Sequence, residues 1–375
     1  MREFMRKARP WASLLVVSGL VAACGGDDDP TGPAFSAEAA EQTADAADEV
    51  AAPLESSFEV SANVWNAFGT LIGLGGGAVS PMVPFETARS VDGMKPGSRW
   101  SLPSLSPTAP LGVLLPEEVM GVTFAWDVDS DGYVATTEAG APSNGVRFIY
   151  YAVSPFSGQP VEPLNALGYL QFVDASTSTA ARLEVDAVRS FGNVQLADYF
   201  VQGSLTGNLQ TSIVTIESEG FVSDGSEQVA FDITFVVSET ATTVTNTASV
   251  TLANAFANAS ISFDYLSTGT EAGVDEEGTF IVEHGNNEAV FDFTGVFVAE
   301  PFSCTVEGAL SYNGNEVVIF EGDGSNPEFT RPDGSDLTAA EVQALGRIWL
   351  AFATTQIFVL EIVAPFFFLL VFAAS

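Results

Sequence analysis

One histidine and two cysteines are all the imidazole and thiol side chains in this 375-residue chain. His284 has no second histidine with which to build a site, and Gly285-Asn286-Asn287 after it is a turn signal, so it reads as a solvated loop-edge residue. The sequence has no G-x-S-x-G elbow, no Walker-type loop and no dinucleotide fingerprint following a strand. Gly75-Gly76-Gly77 carries no lysine and reads as a helix terminator. Carboxylates abound, but their abundance distinguishes no glycosidase-type pair. A non-catalytic protein is expected.

Basic residues are equally scarce. The chain has 12 Lys and Arg against 48 Asp and Glu, a formal charge of −36. Arg2, Arg6, Lys7 and Arg9 are four of those 12 and Glu3 is one of the 48, so the chain from residue 24 onward carries 8 against 47, a net of −39. Such a field repels nucleic acid and anionic lipid, since both are bound through clustered Lys and Arg. Nucleic-acid binding is excluded as a function class. Apolar residues make up 47% of the chain, enough for a substantial core.

The basic residues before position 10 lead into an apolar stretch from Trp11 to Ala23, too short to span a bilayer, which is the layout of a secretory signal. It closes on Leu20-Val21-Ala22-Ala23-Cys24, which resembles the lipobox of bacterial lipoproteins. That resemblance implies cleavage after residue 23 and a covalent lipid on Cys24, which anchors the chain to a membrane. Gly25, where an Asp often signals inner-membrane retention in lipoproteins of this kind, implies an outer-membrane lipoprotein facing the periplasm or the cell surface. Residues 24–35 hold nothing apolar enough to bury and read as a flexible acidic tether. If Cys24 is acylated, Cys304 has no disulfide partner; its alternating surroundings, Phe302 to Val306, place it on one face of a strand as a small apolar side chain.

Composition divides the rest. Residues 36–77 are helical: Ser36 to Ala52 is Ala-rich and acidic with little to bury, and Leu54, Phe58, Trp65, Phe68 and Ile72 form the stripe of an amphipathic helix. Residues 78–119 are a Pro/Gly-rich connection, long enough to act as a lid or a surface wrap. From 120 to 330 the apolar period becomes two, with runs such as Val122 to Trp126, Val146 to Tyr150 and Ile261 to Tyr265. Ser223-Asp224-Gly225-Ser226, His284 to Asn287 and Tyr312-Asn313-Gly314-Asn315 are hairpin turns. About ten to twelve strands are expected in a continuous antiparallel meander, wide enough that it must curl, close or split.

Residues 337–375 begin with capping-box spacing, Thr338 to Glu341, and continue almost wholly apolar. The run is long enough to span a membrane. However, Glu361 would sit inside the span, Pro365 would kink it, and Arg347, Thr354 and Glu361 recur every seven residues as one polar stripe. A helix packed on the sheet accounts for that pattern; a membrane span and an interfacial helix are the alternatives. The fold class is therefore α+β: a large curved antiparallel sheet, open barrel or wide sheet, with an N-terminal amphipathic helix and an apolar C-terminal helix.

One segment has ligand-like spacing. Asp127, Asp129, Asp131, Tyr133 and Glu138 occupy the ligand positions of an EF-hand calcium loop, with Gly132 at the sharp turn. The flanks read as strands rather than helices, so the other reading is a hairpin with an acidic turn in solvent. The architecture resembles lipid- and lipoprotein-carrying envelope proteins, in which an open barrel covered by helices holds an apolar cavity. The first function expected is thus a non-catalytic module binding an apolar ligand or acyl chain. The second is a structural or adhesive surface lipoprotein, stabilised by calcium.

Overall fold

The computed structural model describes residues 35–74 and 114–373, apart from 155–156, 179, 209–210, 241, 271–272, 299–302 and 324–325. The leader, Cys24 and the tether up to residue 34, and residues 78–113 of the Pro/Gly-rich connection, lie outside the described residues.

Two helices come first, α1 (Ala37–Ser56) and α2 (Phe58–Leu74). Fifteen strands follow: β1 (Thr123–Asp127), β2 (Gly132–Thr136), β3 (Gly145–Tyr151), β4 (Ala166–Asp174), β5 (Ala181–Arg189), β6 (Val194–Asn208), β7 (Thr211–Ser223) and β8 (Gln228–Glu239). The series continues with β9 (Val244–Asn254), β10 (Ala259–Gly269), β11 (Val274–His284), β12 (Asn287–Val298), β13 (Ser303–Tyr312), β14 (Asn315–Asp323) and β15 (Asn326–Thr330). The chain ends in α3 (Ala339–Ala373).

All fifteen strands form a single sheet, in the order β15 back to β3 and then β1 and β2. The two edges do not pair, so the sheet is wide and open rather than a barrel. From β3 to β15 it is the antiparallel meander that the period-two pattern expects. The far edge differs: β1 pairs parallel with β3 through Thr123–Arg147 and Phe124–Phe148, and inserts between β3 and β2. The sheet also has more strands than the ten to twelve expected. Strands such as β9 and β11 are rich in Thr, Ser and Glu because their outward residues face water, which mutes the apolar signal.

Each expected hairpin turn is present. At β13–β14, Asn313 and Gly314 have φ of 51° and 80°, the two positive angles a two-residue primed turn needs. His284 ends β11 opposite Asn287.

One face of this sheet is apolar, and the helices cover it. Trp349 of α3 packs on Phe320 of β14 at 5.7 Å between ring centroids, Phe358 on Phe231 of β8 at 5.3 Å, and Phe366 lies against Gly203 of β6, where no side chain stands in its way. From Trp349 to Phe366 the helix rises about 26 Å at ~1.5 Å per residue. The eight strand spacings from β14 to β6 measure about 38 Å at ~4.8 Å each. The helix is therefore a chord and the sheet curls around it. Phe352 is the centre of this contact, with edge-on rings from Phe263, Phe280 and Phe293 at 5.2, 5.2 and 5.4 Å.

The segment from Ser36 to Ala52 is buried far more than its composition suggested. Ala40, Ala44, Ala47 and Val50 of α1 are fully buried, and α1 lies along α3 and over β7 to β11. Alanine at these three- and four-residue steps lets the helix backbone approach closely, so small residues bury a segment that was expected to have little to bury. The stripe from Leu54 to Ile72 is only partly matched: Leu54 is buried but belongs to α1, Trp65 is half-buried, and the buried apolar face of α2 is Val60, Val64, Ala67, Phe68 and Leu71, with Phe68 edge-on to Phe172 of β4 at 5.0 Å. The side chains of Phe58 and Ile72 lie outside the described residues.

The capping box is formed: Glu341 Oε2 accepts from the Thr338 backbone N–H at 2.7 Å, and Thr338 Oγ1 accepts from the Glu341 N–H at 3.3 Å. Helix α3 is long and apolar enough to cross a membrane, with a mean hydropathy of 1.8, yet 61% of its most apolar window is buried in the fold. Its polar stripe is explained at one end by Arg347, which binds Glu41, Asp45 and Asp48 of α1 at 2.8, 2.7 and 2.5 Å. These three acids are spaced three and four apart on one face of α1, so a single guanidinium joins the two helices.

Phe352→Ala removes the ring on which three strands converge and is expected to cost about 3–5 kcal/mol in urea unfolding. Loss below about 1 kcal/mol would show that α3 is not packed as described.

Candidate functional site

The acidic loop with calcium-like spacing is the β1–β2 hairpin. Its flanks are strands, as their alternation implies, and Asp131 closes the turn with φ of 50°. The Asp127 carboxylate turns back on its own loop, where Oδ1 accepts from the Asp129 N–H at 3.3 Å and Oδ2 from Ser130 Oγ at 2.9 Å. This is an Asx turn, a local use of the carboxylate that competes with binding a cation. Among the described residues no three Asp, Glu, His or Cys side chains stand close enough to hold a metal ion. Glu138 lies beyond the end of β2, its N–H donated to Thr136 Oγ1.

Tyr133 points the other way, into the core. Its hydroxyl proton is shared between the Ile149 carbonyl at 2.9 Å and Asn63 Oδ1 at 3.1 Å. Burial drives the Tyr133 phenol well above its ordinary range, and Tyr151 adds to the shift. Asn63, fully buried on α2, also donates to the Tyr151 carbonyl at 2.9 Å and accepts from the Tyr151 N–H at 3.3 Å. Its amide thus stands in for a neighbouring strand at β3. Nearby, Tyr150 donates to Glu59 Oε2 of α2 at 2.7 Å. These contacts dock α2 on the sheet, and periodicity alone could not show them because Asn63 and Glu59 look like ordinary polar helix residues.

Among the described residues, α1 and α3 cover the apolar face where a ligand cavity was expected. The pocket between α3 and the sheet, lined by Phe280, Phe291, Phe293, Ile348, Trp349 and Phe352, has a volume of about 10 Å³. That is at or below the space of one water molecule.

The larger concavity is on the opposite face of the sheet. An open trough of about 870 Å³ runs over β8 to β14. Two rows of cross-strand neighbours line it. One is Thr234, Ser249, Asp264, Thr279 and Asp292; the other is Thr247, Leu266, Glu277, Thr294, Glu307 and Glu321. Thr279 donates to Asp292 at 2.7 Å and Thr294 to Glu307 at 3.4 Å. The trough presents these hydroxyls and carboxylates beside Leu266, Ala309 and Ile319, and no Lys or Arg lines it.

One carboxyl sits on the covered face instead. Glu276 of β11 accepts from the Tyr265 hydroxyl at 2.5 Å, beside Ser267, which accepts from Asn246 Nδ2 at 3.1 Å. Burial pushes Glu276 up to about 7, opposed by the Tyr265 hydrogen bond. No apolar-run or motif signal marks Glu276, since Asp275-Glu276-Glu277 reads as a solvated acidic stretch.

Cys304 lies in β13 opposite Phe297, as its alternation implies, and its side chain is outside the described residues. Compared with models of known protein families, with curated proteins and with solved structures, the chain matches none.

Two outcomes follow from this geometry. Because the folded carboxyl of Glu276 binds its proton more tightly than an ordinary Glu at 4.5, stability is lost as pH rises from about 4.5 through about 7. Glu276→Gln is expected to remove that loss, so the variant gains on the parent in melting temperature toward pH 8; an unchanged difference across the range would refute it. In the β1–β2 loop, millimolar calcium is expected to leave the melting temperature unchanged. A rise that disappears in the Asp129→Ala, Asp131→Ala variant would show that the loop gathers a cation after all.

Proposed function

We propose that the chain is a lipid-anchored envelope protein whose folded part has a structural or adhesive role, rather than a carrier of apolar ligands. The observation that supports this is how the two faces of the sheet are used. Helices α1 and α3 occupy the apolar face, leaving a pocket of about 10 Å³, while the trough of about 870 Å³ on the other face is open to solvent and mixes Thr, Ser, Asp and Glu with Leu266, Ala309 and Ile319. Apolar-ligand sites are concave, predominantly apolar and several hundred Å³ in volume. Here the apolar surface is spent on the protein's own helices.

The anchor rests on the sequence Leu20 to Cys24, and the use of α3 bears on it indirectly. A second membrane attachment through α3 would require Phe352, Phe358 and Phe366 to leave the sheet and would separate Arg347 from its three acidic partners. Acylation at Cys24 supplies attachment without that cost.

Growing the expressing bacterium with a radiolabelled fatty acid tests the anchor. The full chain is expected to take up label and Cys24→Ser to take up none; equal labelling of the two overturns the anchor reading. Native mass spectrometry of the purified protein tests the role. It is expected to show the covalent lipid and no extractable one, and a stoichiometric bound lipid would restore the carrier reading.

A further inference from the structure

We propose that the loop end of the sheet carrying Phe191 and Phe256 rests on the membrane, with both phenylalanines inserted into the interface of a zwitterionic bilayer. The inference builds on the Cys24 anchor proposed above. Among the described residues these two are the most exposed large apolar side chains, at 89% and 78%.

They share one end of the molecule. Phe191 lies in the connection from β5 to β6, and Phe256 in the turn from β9 to β10; in an alternating meander both connections fall at the same strand ends. Four strand spacings separate them, about 19 Å along the sheet at ~4.8 Å each. At the opposite end, the β8–β9 and β10–β11 turns are built around Thr240 and Thr270, polar residues.

Both rings are held out by built turns. Asn254 is buried at the base of the β9–β10 turn. Its Oδ1 accepts from the Phe256 and Ala257 N–H groups at 3.1 and 3.3 Å, and its Nδ2 donates to the Glu49 carbonyl of α1 at 2.8 Å. At the other site, Gly192 and Asn193 take φ of 79° and 52°, the left-handed pair that turns the chain beneath Phe191. A fixed turn presenting an aromatic ring loses little conformational freedom on insertion.

The anchor point agrees with this end. Phe35, where the described chain begins, packs edge-on against Tyr312 at 5.6 Å, and Tyr312 is the last residue of β13 before its turn at that same end. Ten residues lie between Cys24 and Phe35, so the eleven Cα-to-Cα steps give a contour of at most about 40 Å. The described chain therefore enters the fold at this end, beside Tyr312. The charge of the protein specifies the lipid: Asp224 and Glu227 lie in the β7–β8 turn between the two phenylalanines, so a zwitterionic surface is compatible and an anionic one is repelled.

The test uses the full acylated chain in phosphatidylcholine vesicles, with a nitroxide label at Phe191→Cys, Phe256→Cys or, at the opposite end, Thr242→Cys. The signal of the unsubstituted chain, which retains Cys304, is subtracted, and circular dichroism confirms that each variant is folded. Labels at 191 and 256 are expected to gain accessibility to oxygen and lose accessibility to a water-soluble nickel complex, relative to the label at 242. If the chain floats with the vesicles and all three labels are equally open to nickel, the loop contact is overturned and the anchor stands. If labels at 191 and 256 lose access to both reagents, a second protein surface covers them and the membrane contact is overturned. A chain that does not float overturns the anchor and the loop contact together.

Discussion

Everything in this fold follows from the need to cover one apolar face of an open fifteen-stranded sheet. A sheet that wide has no second sheet to pack on and does not close, so its apolar face must be covered by something else. Helix α3 does this by lying across the strands as a chord, which is why it must be both long and apolar. The two properties that make it resemble a membrane span are the properties a sheet-crossing core helix needs. Its aromatic residues meet Phe231, Phe263, Phe280, Phe293 and Phe320 on five of the seven strands from β8 to β14, and the alanine face of α1 fills the space beside it.

The few cations are placed where this arrangement would otherwise come apart. Arg347 ties α1 to α3, and Arg331 bonds Glu341 at 2.7 Å where α3 begins. Arg147 and Arg182 lie over the rings of Tyr169 and Phe200 at 4.2 and 3.7 Å, covering exposed aromatic faces with a charged group. Among the described residues, Arg182 also pairs with the exposed Glu184 at 3.7 Å, so the few arginines join elements, cap rings and offset only a small part of the acidic outer face. Partial desolvation, then Glu219 and Glu217, hold the Asp232 carboxyl above the usual range, a sign of how crowded that face is with like charge.

Much of this was legible in the sequence because burial leaves a period. The sheet, the three hairpin turns, the capping box and the stripe from Arg347 to Glu361 all follow from spacing. What spacing could not reveal depends on partners distant in sequence. The Ser36 to Ala52 helix lacks large apolar residues, yet its alanines are buried because α3, some 300 residues later, comes close enough to need them small. The parallel insertion of β1 beside β3 is a choice among neighbours that alternate equally well. Tyr133 holds the calcium-loop position that binds through its backbone carbonyl, so the burial of its side chain on the apolar face follows from the alternation of β2 and is independent of that match.

The acidic loop then has a different physical reading. An open sheet exposes two edges, each a template for pairing with another strand. At one edge β15 is only five residues long and carries Pro327 and Glu328; at the other β2 is also five residues long. The loop Asp127-Val128-Asp129-Ser130-Asp131 leads directly into β2. Three carboxylates at the head of an edge strand repel any incoming strand that shares this protein's charge, and the row Glu307, Glu321 and Glu328 sets like charges on three adjacent strands at the opposite edge. Such cross-strand pairs are mildly destabilising, at about 0.2–1 kcal/mol each, and water screens them on an exposed face. The cost falls on the folded monomer, and the gain is a sheet that stays open at both edges without extending into its neighbours.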